Sequence, residues 1–153
     1  MIEKNGWTGQ FDIFIKSGDE WQHDKTINNM ITDTALNFLR DSLRGIITDG
    51  TIKYIAVGTS SASVSSGDVQ LGAEIFRKPV YSKSAVGTGS LQTIGILTET
   101  EAVANIQEIG IFAGSTASAA TNSGVMISRI LYSRNKTNLE SIQIQRTDTI
   151  ARG

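Results

Sequence analysis

The 153-residue sequence has no cysteine, one proline and one histidine. Without cysteine there can be no disulfide framework, thiol nucleophile, thiolate zinc site or cysteine-ligated iron–sulfur cluster. No apolar run approaches the roughly 18 residues a membrane-crossing helix needs. Residues 1–9 lack a basic start followed by an apolar stretch, so neither membrane insertion nor Sec export is expected. An excess of positive charge is missing too: 14 Lys and Arg stand against 15 Asp and Glu, a formal net charge of −1. A binder of phosphate backbones is normally strongly basic, so nucleic acid is not an expected partner.

Catalytic signatures are equally scarce. A Ser–His–Asp relay would have to use His23, which lies in the polar stretch Asp19-Glu20-Trp21-Gln22-His23-Asp24 and reads as a solvated loop histidine. That stretch offers hard-metal ligands but lacks the alternating carboxylates, central glycine and terminal glutamate of a calcium loop. Glu99 and Glu101, two apart, cannot flank a glycosidic bond from opposite sides and read as an acidic turn. Gly87-Thr88-Gly89 has no third glycine and leads into a strand, whereas a dinucleotide site needs a helix N-terminus there. No Gly-x-Ser-x-Gly elbow or phosphate-binding P-loop exists. No enzymatic activity, cofactor or metal is expected.

What the chain does have is small polar residues: 16 Ser, 16 Thr, 8 Asn and 15 Gly make up 55 of the 153 positions. With 39% hydrophobic and 19% charged residues it still falls outside the disordered class. Alternating or β-branched runs predict strands over 10–16, 52–57, 74–84, 91–98, 106–112, 125–132 and 139–147. Pro79, which cannot donate to a ladder, should mark an edge or a bulge. Between Ile27 and Ile46 the apolar period changes to three and four, predicting one amphipathic helix at about 29–44, capped by Asn28 or Asn29 and closed by Gly45. Residues 59–69 and 114–124 are too polar to pack as strands and read as exposed loops. Strands without intervening helices pair antiparallel, so the expected fold is mainly β (α+β): an antiparallel β-sandwich of about seven strands with one packed helix.

Trp7, Trp21, Phe14 and Tyr132 fall where burial in the core is not obvious, and such aromatics are favoured interface anchors. Arg129, Arg134, Lys136 and Arg146 gather near the C-terminal strands, with Arg77 and Lys78 on another. Lacking interleaved aromatics, this basic group suits salt bridges across a subunit boundary better than a nucleic-acid groove.

Four segments carry a resemblance. Ile52-Lys53-Tyr54-Ile55-Ala56-Val57-Gly58-Thr59 precedes the serine-rich loop and Leu71-Gly72-Ala73-Glu74-Ile75-Phe76-Arg77-Lys78-Pro79-Val80; Ile106-Gln107-Glu108-Ile109-Gly110-Ile111-Phe112 and Val125-Met126-Ile127-Ser128-Arg129-Ile130 follow. In this order they resemble the strands of small bacteriophage tail-associated (tail fibre, baseplate or neck) structural proteins, over about residues 30–147. The resemblance implies a virion component made in the host cytoplasm, mainly β and without catalytic residues to carry over.

The expectation is therefore a virion structural protein that binds copies of itself and other phage tail, baseplate or neck proteins. Residues 1–26 would form an N-terminal strand and attachment segment, and residues 27–153 the sandwich. Trp7, Phe11, Phe14 and Trp21, with Arg77 and Arg129 as charged contacts, are the interface candidates. The alternative is a carbohydrate- or receptor-binding module of a tail fibre, with Trp21 stacking on a sugar ring.

Overall fold

In the computed structural model of the chain, which describes residues 6–152, alternation decides which face of each strand is buried. Along β1 (Trp7–Lys16), Phe11, Ile13 and Ile15 are buried while the residues between them face outward. Along β9 (Ser141–Ile150), Ile142, Ile144, Arg146 and Asp148 point in and Gln143, Gln145 and Thr147 point out. With β2 (Gln22–Asn29), β5 (Ser82–Gly87) and β6 (Ser90–Leu97), these strands form a five-stranded antiparallel sheet in the order β2-β1-β9-β6-β5. The second sheet has the order β4-β3-β7-β8, from β3 (Ile52–Gly58), β4 (Glu74–Pro79), β7 (Asn105–Ala113) and β8 (Val125–Asn135). The inner faces meet in one core, where Phe11, Ile13, Ile142 and Ile144 pack with Ile55, Val57, Ile109, Ile111 and Ile130. At Gly95 a Cβ would come within 2.8 Å of Ile55, so glycine lets β6 approach the opposite sheet.

The fold is thus the expected mainly-β sandwich with one helix, but its strands number nine among the described residues. Two physical reasons account for the difference. Strand β2 is an edge strand, mostly exposed and built from polar residues, so it lacks the buried alternate positions that reveal a strand. The predicted strand over 74–84 is two strands in different sheets. The Val80 N–H donates to Lys53 O in one sheet at 3.0 Å, and the Tyr81 N–H to Ile94 O in the other at 2.7 Å, so the chain changes sheets across one peptide. Pro79 ends β4, an edge strand, as its missing donor requires.

Helix α1 (Asp33–Leu43) begins four residues later than its periodicity predicts, because Thr32 and not an asparagine is its cap. Thr32 Oγ1 accepts from the Ala35 N–H at 3.1 Å and donates to Met126 O at 2.6 Å, while the Thr32 N–H donates to Ile127 O at 3.1 Å. One residue therefore starts the helix and covers part of the β8 edge. Ala35 and Phe38 are its buried side chains; Leu43 and Ile46, also in phase, are exposed. Gly45 closes the helix at φ 78° as expected, with the Gly45 N–H on Ser42 O and the Ile46 N–H on Asp41 O.

The boundary expected between residues 26 and 27 falls inside β2. Residues 7–26 are not a separate segment: β1 lies between β2 and β9 and supplies part of the common core. Residues 1–5 of the expected attachment segment lie outside the described residues.

Replacing Thr32 by Ala should lower stability by about 1–2 kcal/mol, the usual worth of a cap hydroxyl, since the Ala35 N–H loses its acceptor and Met126 O keeps only the longer bond from Thr34. Urea denaturation should show this loss, with Thr32→Ser retaining most of the stability.

Candidate functional site

The four-stranded sheet is covered on both faces. On its outer face Ala56, Phe112 and Met126 form a small second core with Leu71, which comes from the long loop after β3. That loop, residues 59–73, has too little apolar surface to hold itself down; its anchor is a buried carboxylate. Glu108 accepts from Arg129 Nε at 2.7 Å and from the backbone N–H groups of Ser60, Gly72 and Ala73 at 2.9, 2.8 and 2.8 Å. Arg129 in turn donates through Nη2 to Ala62 O at 2.9 Å and faces Asp68 at 3.5 Å. Burial by itself would raise the Glu108 pKa; the Arg129 bond and the three backbone donors outweigh it and hold the carboxyl below its ordinary range.

A second pair holds the other long loop. Arg77 meets Glu74 in a two-pronged bridge, both bonds 2.7 Å, and its remaining nitrogen donates to Ser118 O at 3.0 Å and Ser123 O at 2.9 Å. Its guanidinium lies 4.5 Å from the centre of the Phe112 ring. A third pair spans the main core: Arg146 of β9 binds Asp148 through two nitrogens, at 3.0 and 2.7 Å, and Ser128 of β8 through the third. Trp7 Nε1 adds a 2.9 Å bond to Asp148.

These contacts correct the interface expectation for three residues. Phe11 is fully buried between the sheets, and the Arg77 and Arg129 side chains are each only 3% exposed, so all three are spent inside the fold. Trp7 is half-buried against Asp148. Phe14 is half-buried on the outer face of the five-stranded sheet, edge-to-face with His23 at 5.3 Å. Trp21 is exposed beside β2, with Lys16 Nζ 5.8 Å from its ring centre. Tyr132 is buried and donates to Asp24 at 2.6 Å; burial first, and this bond second, raise its pKa.

The basic group near the C-terminus also dissolves into internal pairs. Arg129 and Arg146 are buried as described, Arg134 bonds Glu140 at 2.5 Å, and Lys136 Nζ donates to Glu99 O at 3.0 Å. Burial lowers the Lys136 pKa, against the opposing pull of Glu140, Glu101 and Glu99. The 99–101 segment is a turn, as expected, with Glu101 bonded to Lys78 at 2.7 Å.

His23 sits in β2 and not in a loop. Its Nε2 faces both Thr26 Oγ1 at 2.9 Å and Asp12 Oδ1 at 3.2 Å, while Thr26 gives its own proton to Asp12 at 2.5 Å. A relay needs the carboxylate on one ring nitrogen and the nucleophile on the other, so this cluster lacks relay geometry. Among the described residues no group of three or more His, Asp or Glu could hold a metal ion.

Glu74 and Glu108 lie in the segments that carry the resemblance, but neither they nor Asp148 stand out from composition or spacing as partners of the arginines. The available signal was an acidic residue inside an otherwise apolar strand, as with Glu108 in Ile106-Gln107-Glu108-Ile109, because such a charge needs a partner when buried.

Removing one member of the Glu108–Arg129 pair should cost about 3–5 kcal/mol, since the other is left charged and buried. In a double-mutant cycle with Glu108→Gln and Arg129→Met, the double variant should lose less than the sum of the singles. The pH dependence has a definite sign. Glu108 titrates lower in the folded chain than unfolded, so its stabilisation is complete above the unfolded value of about 4.3 and is lost as pH falls through the folded value. The urea midpoint of the Glu108→Gln variant should therefore fall less steeply with acidification below about pH 4.3 than that of the parent.

No family model matches the chain, and comparison with curated proteins and with solved structures brings no similar protein.

Proposed function

We propose that the protein is a bacteriophage virion structural protein that oligomerises and joins neighbouring tail, baseplate or neck components, acting through surface and not through turnover. The observation that carries this reading is the convergence of the residues behind the resemblance. Leu71, Gly72, Glu74, Arg77, Glu108 and Arg129 come from segments far apart in sequence, and all of them hold the two long loops onto one sheet. Side chains that fix loops onto a sheet in this way suit a scaffold that presents a rigid surface to neighbours. Large apolar side chains remain exposed on several sides, with Leu43 82%, Tyr81 74% and Leu139 74% accessible, and such side chains supply contact area when copies associate.

Light scattering behind a sizing column, over a range of concentrations of the untagged chain, tests the reading. A stable closed oligomer such as a trimer or hexamer is the expected outcome. A strict monomer that also fails to bind tail, baseplate or neck proteins of the same virion would overturn it.

A further inference from the structure

The two sheets differ in what covers them. Loops 59–73 and 114–124 close the outer face of the four-stranded sheet, whereas no segment among the described residues packs on the outer face of β1, β9 and β6. Register defines this open face: Gln10 lies beside Thr147, which lies beside Gln92; Asp12 lies beside Gln145, which lies beside Ile94; and Phe14 lies beside Gln143, which lies beside Ile96. Asp12 is its one acidic group on these central strands, already bonded to Thr26, Gln10 and His23.

At one end of this face lies a concavity of about 350 Å³ lined by Thr8, Gln10, Asn28, Asn29, Thr147 and Thr149, together with Gly9. Every side chain in that lining is an uncharged hydroxyl or amide. The side chains of Thr8, Asn28 and Thr147 make no hydrogen bond to protein among the described residues, nor do the neighbouring amides of Gln92, Gln143 and Gln145. Strand geometry spaces these groups about 4.8 Å apart across strands and about 7 Å apart along them, the scale of one sugar ring.

We infer that the outer face of the five-stranded sheet is a binding site for a neutral polysaccharide, with the concavity at Thr8, Asn28 and Thr147 taking one sugar residue. The chemistry selects this occupant. An anionic polymer would require cationic side chains; the concavity has none, and Lys16, at the other end of β1, lies over the Trp21 ring. A protein partner would want a buried aromatic or arginine anchor at the centre of the contact, and the concavity offers only amides and hydroxyls. Uncommitted donors and acceptors of both kinds match sugar hydroxyls, which are themselves both donors and acceptors. Phe14, Ile94 and Ile96, farther along the same face, provide apolar contact for the carbon side of the next ring. This site is distinct from the expected stacking position at Trp21 and does not depend on the assembly reading.

The test is a titration of the isotope-labelled full chain with maltohexaose, cellohexaose and chitohexaose, followed by amide chemical shifts. The expected result is a saturable change for at least one of the three, centred on Thr8, Gln10, Asn28, Thr147 and Thr149. Asn28→Ala and Thr147→Ala should each weaken that binding by roughly threefold to tenfold, as the loss of one hydrogen bond does. Both positions face solvent, so the melting temperature should be unchanged, and Trp21→Ala should leave the affinity as it was. The proposal is overturned by the absence of saturable shifts with all three glycans at millimolar concentration, or by shifts centred on Trp21. It is equally overturned if the same amides respond to protein concentration alone, which would make the face a contact between copies.

Discussion

The carboxylate of Glu108 is the point on which the loops depend. The segment between β3 and β4 consists mainly of serine, glycine and alanine and buries one large side chain, Leu71, which is too little to offset the cost of ordering it. Four donors converging on one buried anion supply what apolar contact cannot, and three of them are backbone N–H groups of the loop itself. The loop is thereby held at both ends, at Ser60 and at Gly72–Ala73. Gly58 and Gly72 are required for it: a Cβ at Gly58 would collide with Glu108 and the Ala73 carbonyl, and one at Gly72 would collide with Ser60.

The same device recurs with other partners. Arg77 and Glu74 tie down residues 118–123, Lys136 reaches the carbonyl of Glu99, and Arg146 with Asp148 and Ser128 joins the two sheets through their core. In a chain with no cysteine these pairs stand where cross-links stand in small secreted domains. Buried ion pairs add little net stability compared with well-packed apolar groups, but breaking one is costly. Their effect is to penalise every arrangement of the loops except the one in which all donors are satisfied. A tightly held surface of this kind is what repeated subunit contacts need, because each contact loses less freedom on forming.

An asymmetry between the sheets follows. The loops bury the outer face of the four-stranded sheet, which is why β3 and β7 carry nearly continuous apolar runs. In the five-stranded sheet the central strands β1 and β9 alternate, with polar side chains between the buried ones along β9. Among the described residues, one sheet thus has its outer face committed to the chain's own loops and the other has no such cover.

Much of the fold was legible in local pattern. Alternation in β1, β6 and β9, the three-and-four spacing around Ala35 and Phe38, and the closing role of Gly45 depend on neighbours in sequence, as did the mainly-β class and the single helix. What escaped that pattern depends on distant partners. Strand β2 is a strand because β1 offers it a ladder, not because of its own residues, and the helix starts at Thr32 because the Met126 and Ile127 carbonyls lie there to be met. Arg77 and Arg129 looked like surface charges because arginine usually is one; only the fold brings Glu74, Glu108 and the loop carbonyls to them. The physical reason is the same each time. Apolar periodicity is a property of a short segment, whereas the cost of burying a charge or leaving a peptide group unpaired is met by whichever groups the completed fold places beside it.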